Sequence, residues 1–204
     1  MRKFTAITTL AVAGLASAAA AQSGSLSIVG APATFNWTVE SVFTVDIVAN
    51  ADFGTHVSGG AFTTQLSGAV SQINGVNASA ASWAAVGEND FGYDNNGLHE
   101  GLVFGQVVFP PFFPPSAESA LPGTVVAQLQ FEVAAGFIGP LTIQLGARDA
   151  APFVLEIYNE GDESFTQLGA SDISFGSASI FLIPAPSSAA VLGLGALCAT
   201  RRRR

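Results

Sequence analysis

The amino-acid sequence predicts an all-β protein built as a single β-sandwich. Three observations predict it. Windows of alternating apolar and polar residues recur along the chain, with the period of two that marks a half-buried strand. Gly, Pro, Asn and Asp separate these windows at short intervals, as tight turns require. No stretch of residues 22–182 sustains the 3.6-residue period of an amphipathic helix. Eight to ten short strands are expected, the range of a sandwich or jelly roll.

Each window has its own signature. Residues 26–29 make a short first strand. Residues 34–39 follow, rich in β-formers around Phe35 and Trp37. Residues 43–48 alternate, with Phe43, Val45 and Ile47 on one face. Gly54, Gly59 and Gly60 punctuate the approach to a strand at 61–66. Residues 67–81 are small and polar and are expected mostly as loop; 82–86, carrying Trp83, are expected as strand. After a polar stretch at 87–101, residues 102–109 read as a buried strand. Prolines 110, 111, 114 and 115 make the next segment a loop, because proline cannot donate to a ladder. Residues 124–133 alternate most cleanly. Val125, Ala127, Leu129, Phe131 and Val133 should share one face, and Val126, Gln128, Gln130 and Glu132 the other. Leu141, Ile143 and Leu145 alternate with Thr142 and Gln144; windows at 153–158, 165–168 and 173–182 complete the series.

The two ends fall outside this pattern. Arg2 and Lys3 precede an uncharged run at 4–15, and Ala19-Ala20-Ala21 precede Gln22. That is the layout of a secretory signal peptide, with cleavage expected between Ala21 and Gln22. At the other end Pro184 and Pro186 close the last strand, since each lacks a backbone donor. Residues 183–200 carry no charge, and as a helix they would run about 27 Å, near the hydrocarbon thickness of a bilayer. Arg201, Arg202, Arg203 and Arg204 would stop translocation and stay on the cytoplasmic side. Val191, Leu192, Leu194 and Leu197 are its only bulky residues, which suits a short transmembrane segment held briefly. The expected organisation is therefore signal peptide 1–21, sandwich 22–182 and sorting segment 183–204.

Charge is divided as sharply. All 15 acidic residues lie between 22 and 182, with one basic residue, Arg148. Such a surface repels nucleic acid and anionic lipid. The single cysteine, Cys198, sits in the apolar tail, so the sandwich has neither a disulfide framework nor a thiolate metal site.

The C-terminal residues carry a resemblance. Pro184-Ala185-Pro186, an Ala-, Gly- and Leu-rich run and a terminal arginine cluster resemble the PEP-CTERM sorting signal. The glutamate of that motif is Ala185 here. The resemblance implies recognition by an exosortase-type processing enzyme and delivery to the cell surface, outer envelope or extracellular matrix. A second resemblance lies in the body. Its residues are Phe43-x-Val45-x-Ile47, the strand from Gly123 to Val133, Gly139-Pro140-Leu141-Thr142-Ile143-x-Leu145 and the closing strand at 173–182. Together they resemble cohesin-like and carbohydrate-binding β-sandwiches. This implies the fold and leaves the ligand open, with matrix polysaccharide among the partners.

Candidate chemistry is sparse. Glu88, Asp90, Asp94 and Asn96 form a weak candidate calcium site, because Ca²⁺ takes several carboxylate and amide oxygens. It is not an EF-hand, since Gly92 stands where the first aspartate belongs. His56 and His99 are the only histidines, and no Gly-x-Ser-x-Gly elbow accompanies them. Trp37, Trp83 and Tyr93 either stack on sugars or fill the core; Phe112 and Phe113 either project as a sticky loop or tuck under the sandwich edge. The expectation is a non-catalytic module with no cofactor beyond weak calcium. A secreted acidic hydrolase and a calcium- or glycan-binding module are the alternatives.

Overall fold

A computed structural model describes residues 22–37, 41–136 and 138–184, and these form thirteen strands. In order they are β1 (Gly24–Val29), β2 (Thr34–Asn36), β3 (Val42–Ala51), β4 (His56–Gly68), β5 (Ile73–Ala80), β6 (Asn89–Asp90) and β7 (Leu98–Gly105). There follow β8 (Thr124–Val133), β9 (Gly139–Gly146), β10 (Leu155–Asn159), β11 (Ser164–Leu168), β12 (Ile173–Phe175) and β13 (Ser177–Ile183). The signal peptide and everything after Pro184 lie outside the described residues. Among the described residues no helix is long and apolar enough to cross a membrane.

Two sheets form. One runs β12-β1-β3-β8-β5; the other runs β11-β10-β4-β9-β13-β2, with β7 on β4 and β6 on β7. The apolar face of every long strand points between them. Phe43 and Phe131 stack on the first sheet with ring centroids 4.8 Å apart, and Phe35 of the second meets Phe43 at 5.1 Å. Leu26, Ile47, Leu129, Leu141, Ile143 and Leu155 are fully buried around them. Burial of this apolar area, at roughly 25 cal/mol per Å², is the main force closing the sandwich.

Four local expectations are corrected. Residues 73–80, expected as loop, form β5, an edge strand on β8 in which Ile73, Val76 and Ala78 face inward. Ladder bonding and half-burial outweigh its small polar composition. Residues 82–84, expected as strand, form a 3₁₀ turn. In β8 the facing reverses at one end: Val125 is exposed, whereas Val126 and Ala127 are buried. The cause is a bulge. Ile47 pairs with Ala127 and Val48 with Val125, so Val126 has no opposite number and turns inward. The window 173–182 is two strands in different sheets. Gly176 lies between them, donating to the Leu26 carbonyl at 2.7 Å and accepting from Leu145 N–H at 3.1 Å. A Cβ there would sit 3.0 Å from the Ser27 Cα, a tight fit against backbone that glycine avoids where the chain crosses between sheets.

β4 sets the long axis. Its first residue, His56, bridges to Ala120, and its last, Gly68, pairs with Leu141 of β9. Gly139 of β9 pairs in turn with Leu182 of β13. Residues 183–184 therefore leave at the end of the sandwich opposite the loop that joins β7 to β8. Thirteen residues of strand separate the two ends, about 43 Å if fully extended.

Candidate functional site

The β7–β8 connection is the most exposed apolar feature among the described residues. Val107, Phe109, Phe112 and Phe113 all project into solvent, Phe112 with 74% of its surface free. The prolines expel this segment from the ladder, as the sequence requires. It is nevertheless ordered by hydrogen bonds. Phe109 and Phe113 exchange N–H···O bonds of 2.7 and 2.9 Å, and Phe112 N–H donates to the Phe109 carbonyl at 3.0 Å. The Phe109 and Phe112 rings lie nearly parallel, 6.1 Å between centroids.

The stem below is pinned by one side chain. Gln106 Nε2 donates to the Val57 carbonyl and to Ser119 Oγ, each at 2.8 Å, and its Oε1 accepts from Ser116 N–H at 2.9 Å. Ser119 is fully buried and its Oγ donates to the Ser116 carbonyl at 2.7 Å. Leu121 N–H donates to the Thr55 carbonyl at 2.9 Å, tying the returning limb to the start of β4. An amide that uses both hydrogens and its oxygen holds both limbs in one geometry. The result is a preorganised aromatic knuckle on a fixed stem.

The acidic stretch behaves oppositely. Asp90 Oδ2 accepts from Ala78 N–H at 3.0 Å and Glu88 Oε1 from Ala80 N–H at 2.9 Å, both on the free edge of β5. Asp90 Oδ1 also accepts from Gly92 N–H and from His99 Nε2, each at 2.8 Å. His99 is completely buried, and a carboxylate can only accept, so the proton stands on Nε2. Asp94 Oδ1 accepts from Asn96 and Leu98 N–H at 2.7 and 2.9 Å. These bonds, Asn96 first, hold its carboxyl below its ordinary value. The Asn96 side chain turns back to the Asp94 carbonyl at 3.2 Å. Glu88, Asp90, Asp94 and Asn96 thus point at main chain, and no group of three or more His, Cys, Asp or Glu gathers around a metal-sized space among the described residues.

The remaining candidates divide. Trp37, Trp83 and Tyr93 pack against the core, and Trp83 Nε1 donates to the Val125 carbonyl at 3.0 Å. His56 Nδ1 shares a hydrogen bond with Thr55 Oγ1 at 3.1 Å and lies 3.7 Å from Glu160. Neither histidine meets a serine hydroxyl among the described residues. Ala19, Ala21, Ala185, Pro186 and the four arginines lie outside the described residues, and Gln22 and Pro184 are their described neighbours. Sequence reasoning did not single out Gln106. Its only signal is a polar residue in an otherwise apolar run, immediately before the prolines.

No family model and no curated protein matches this sequence. Solved structures do resemble it. The seventh ScaB type I cohesin of Pseudobacteroides cellulosolvens is 14% identical, with 80% of this chain and 94% of that chain covered and a TM-score of 0.47. The third ScaC cohesin of Acetivibrio cellulolyticus, solved with the ScaB dockerin, is 17% identical over 78% of this chain and 99% of that one, with a TM-score of 0.48. A non-cellulosomal cohesin from the archaeon Archaeoglobus fulgidus is 10% identical over 81% and 95%, with a TM-score of 0.40. These are likenesses of shape at low identity, and neither partner nor activity follows from them.

Proposed function

We propose that this chain is an exported, non-catalytic binding module, sorted to the cell surface or extracellular matrix and engaging a protein partner through the knuckle of Phe109, Phe112 and Phe113. One observation carries the binding role: large apolar side chains are exposed together on a loop that hydrogen bonds hold in advance. Exposed apolar clusters mark contact sites, and a preorganised loop loses little entropy on binding. A protein with an apolar groove fits better than a lipid surface, because a sandwich with fifteen acids and one arginine is repelled by anionic membranes. Export and sorting rest on the signal-peptide layout and on Pro184-Ala185-Pro186 with its apolar run and arginines. An exosortase-type enzyme would process the tail. A chain held by that tail presents the knuckle outward, since residues 183–184 leave at the opposite end.

The test uses the native host. Terminal-peptide mass spectrometry of mature protein should find Gln22 first and no peptide containing residues 197–204. The triple variant Phe109→Ser, Phe112→Ser, Phe113→Ser should be exported and processed normally but shed into the medium, while wild type stays with the surface or matrix fraction. Equal retention of both at equal thermal stability would refute the knuckle. Mature chains that all keep the tail would refute processing.

A further inference from the structure

β9 and β10 lie end to end along the same side of β4, pairing with its second and first halves. Between them residues 147–154 leave the sheet and arch over it. Thr63 Oγ1 donates to the Ala147 carbonyl at 3.3 Å, and Ala61 N–H donates to the Val154 carbonyl at 3.0 Å, fixing both feet of the arch. Beneath it is a cleft of about 320 Å³. Gly59, Gly60 and Gly105 line it together with Ser58, Val103 and Gln106. Arg148, Phe153 and Glu156 stand around it.

Arg148 is the only cation of the sandwich, and its side chain has no carboxylate within ion-pair distance and no hydrogen-bond partner among the described residues. Its Nε is buried and unpartnered. The side chain is nonetheless placed. Its guanidinium carbon lies 3.6 Å from the centre of the Phe91 ring, a cation–π contact. A Cβ on Gly101 would stand 2.9 Å from Arg148 Cδ, so glycine at that position leaves the arginine its path across β7. In a protein with fifteen acids, an arginine held in position without an anion has its donors in reserve.

We infer that this cleft binds a small hydroxylated monocarboxylate of the uronic-acid class. Arg148 supplies the planar fork that matches a carboxylate. Glu156 is anchored by Ser58 Oγ and Gln167 Nε2, each at 2.8 Å, which leaves each carboxylate oxygen a further lone pair for a sugar hydroxyl. Phe153 offers an apolar wall to a sugar ring. Glu156 also disfavours phosphate or sulfate relative to a monocarboxylate: a dianion would bring two negative charges toward its carboxylate where a monocarboxylate brings one. The cleft shares Gln106 with the stem of the knuckle, but Arg148, Phe153 and Glu156 lie outside the knuckle, so uronate binding and surface retention are read separately.

Titration calorimetry on the mature secreted protein tests it with D-galacturonate, D-glucuronate, D-glucose, inorganic phosphate and polygalacturonate. The uronates should bind at least 10-fold more tightly than glucose or phosphate, and more weakly as salt rises. Arg148→Gln should lose at least 10-fold in uronate affinity with its thermal midpoint retained, and Arg148→Lys should fall between. Binding of monosaccharide alone assigns a free uronate; binding of polygalacturonate as well assigns a polymer end or chain. If Arg148→Gln misfolds, the salt dependence and the uronate-over-glucose preference of wild type still decide. Absence of uronate binding, phosphate binding as tight as uronate, or unchanged affinity in a folded Arg148→Gln would overturn the assignment.

Discussion

Residues 87–101 and 106–116 are separated by a few positions of chain and do opposite things with their side chains. The first stretch holds Glu88, Asp90, Asp94, Asn96 and His99, the residue types from which metal and catalytic sites are made. In the fold the three carboxylates turn to backbone donors and to His99 Nε2, and the Asn96 amide to a backbone carbonyl; of these five residues, His99 alone keeps a buried atom, Nδ1, without a partner. Glu88 and Asp90 cap the free edge of β5, stitching one sheet to the other and covering an edge that would otherwise invite pairing. The second stretch holds Val107, Phe109, Phe112 and Phe113, of the types that usually fill a core, and exposes them. The difference teaches that polar residues near buried donors are consumed by the need to satisfy them. Apolar residues held outside have no such internal duty and point to a partner.

The largest effect should come from taking the acidic loop apart. Asp90→Ala removes the acceptor of a fully buried histidine and of two main-chain donors. It should cost about 1–3 kcal/mol in chemical denaturation. An unchanged midpoint would place Asp90 in reserve for a ligand and break the contrast. The knuckle should respond in the other direction. Phe112→Ser deletes the most exposed ring, and stability should move by no more than about 0.5 kcal/mol. A loss of several kcal/mol would show the ring buried against something in solution and remove it as a contact.

The smallest effect is in acid. The Asp94 carboxyl is held below its ordinary value by Asn96 and Leu98 N–H, so the folded state binds its proton less readily than the unfolded state. Its contribution is present above the unfolded value near 3.8 and is lost as pH falls through the lower folded value. Asp94→Asn keeps an acceptor oxygen without the titration. The difference in melting temperature between wild type and Asp94→Asn should therefore be constant above pH 5 and shrink below pH 4. A difference that stays constant through acid would mean that Asp94 is not held by these donors.

Much of this was legible in order of residues. Period-two alternation located β3, β9 and most of β8, because in those strands one face is core and the other is water. Four prolines in six residues excluded 110–115 from the sheets whatever surrounds them. Arg148 was visible as the lone cation, but its place over Phe91 was not, since Phe91 and Arg148 meet only when the residue after β6 and the arch after β9 come together. Gln106 was silent for the same reason: its partners are Val57, Ser116 and Ser119, brought to it from β4 and the far limb of its own loop.

The division has a physical cause. Backbone chemistry and hydrophobic period act within a few residues, so strand identity, turn positions and the all-β class are properties of the sequence itself. Pairing acts across the molecule. Only the ladders decide that the polar run at 73–80 is an edge strand, that Val126 bulges inward, and that the chain changes sheets at Gly176. Only the assembled sandwich decides which polar groups are used up. Asp90 is spent because the free edge of β5 and the buried His99 come to rest beside it, whereas Arg148 is left with open donors because no carboxylate does.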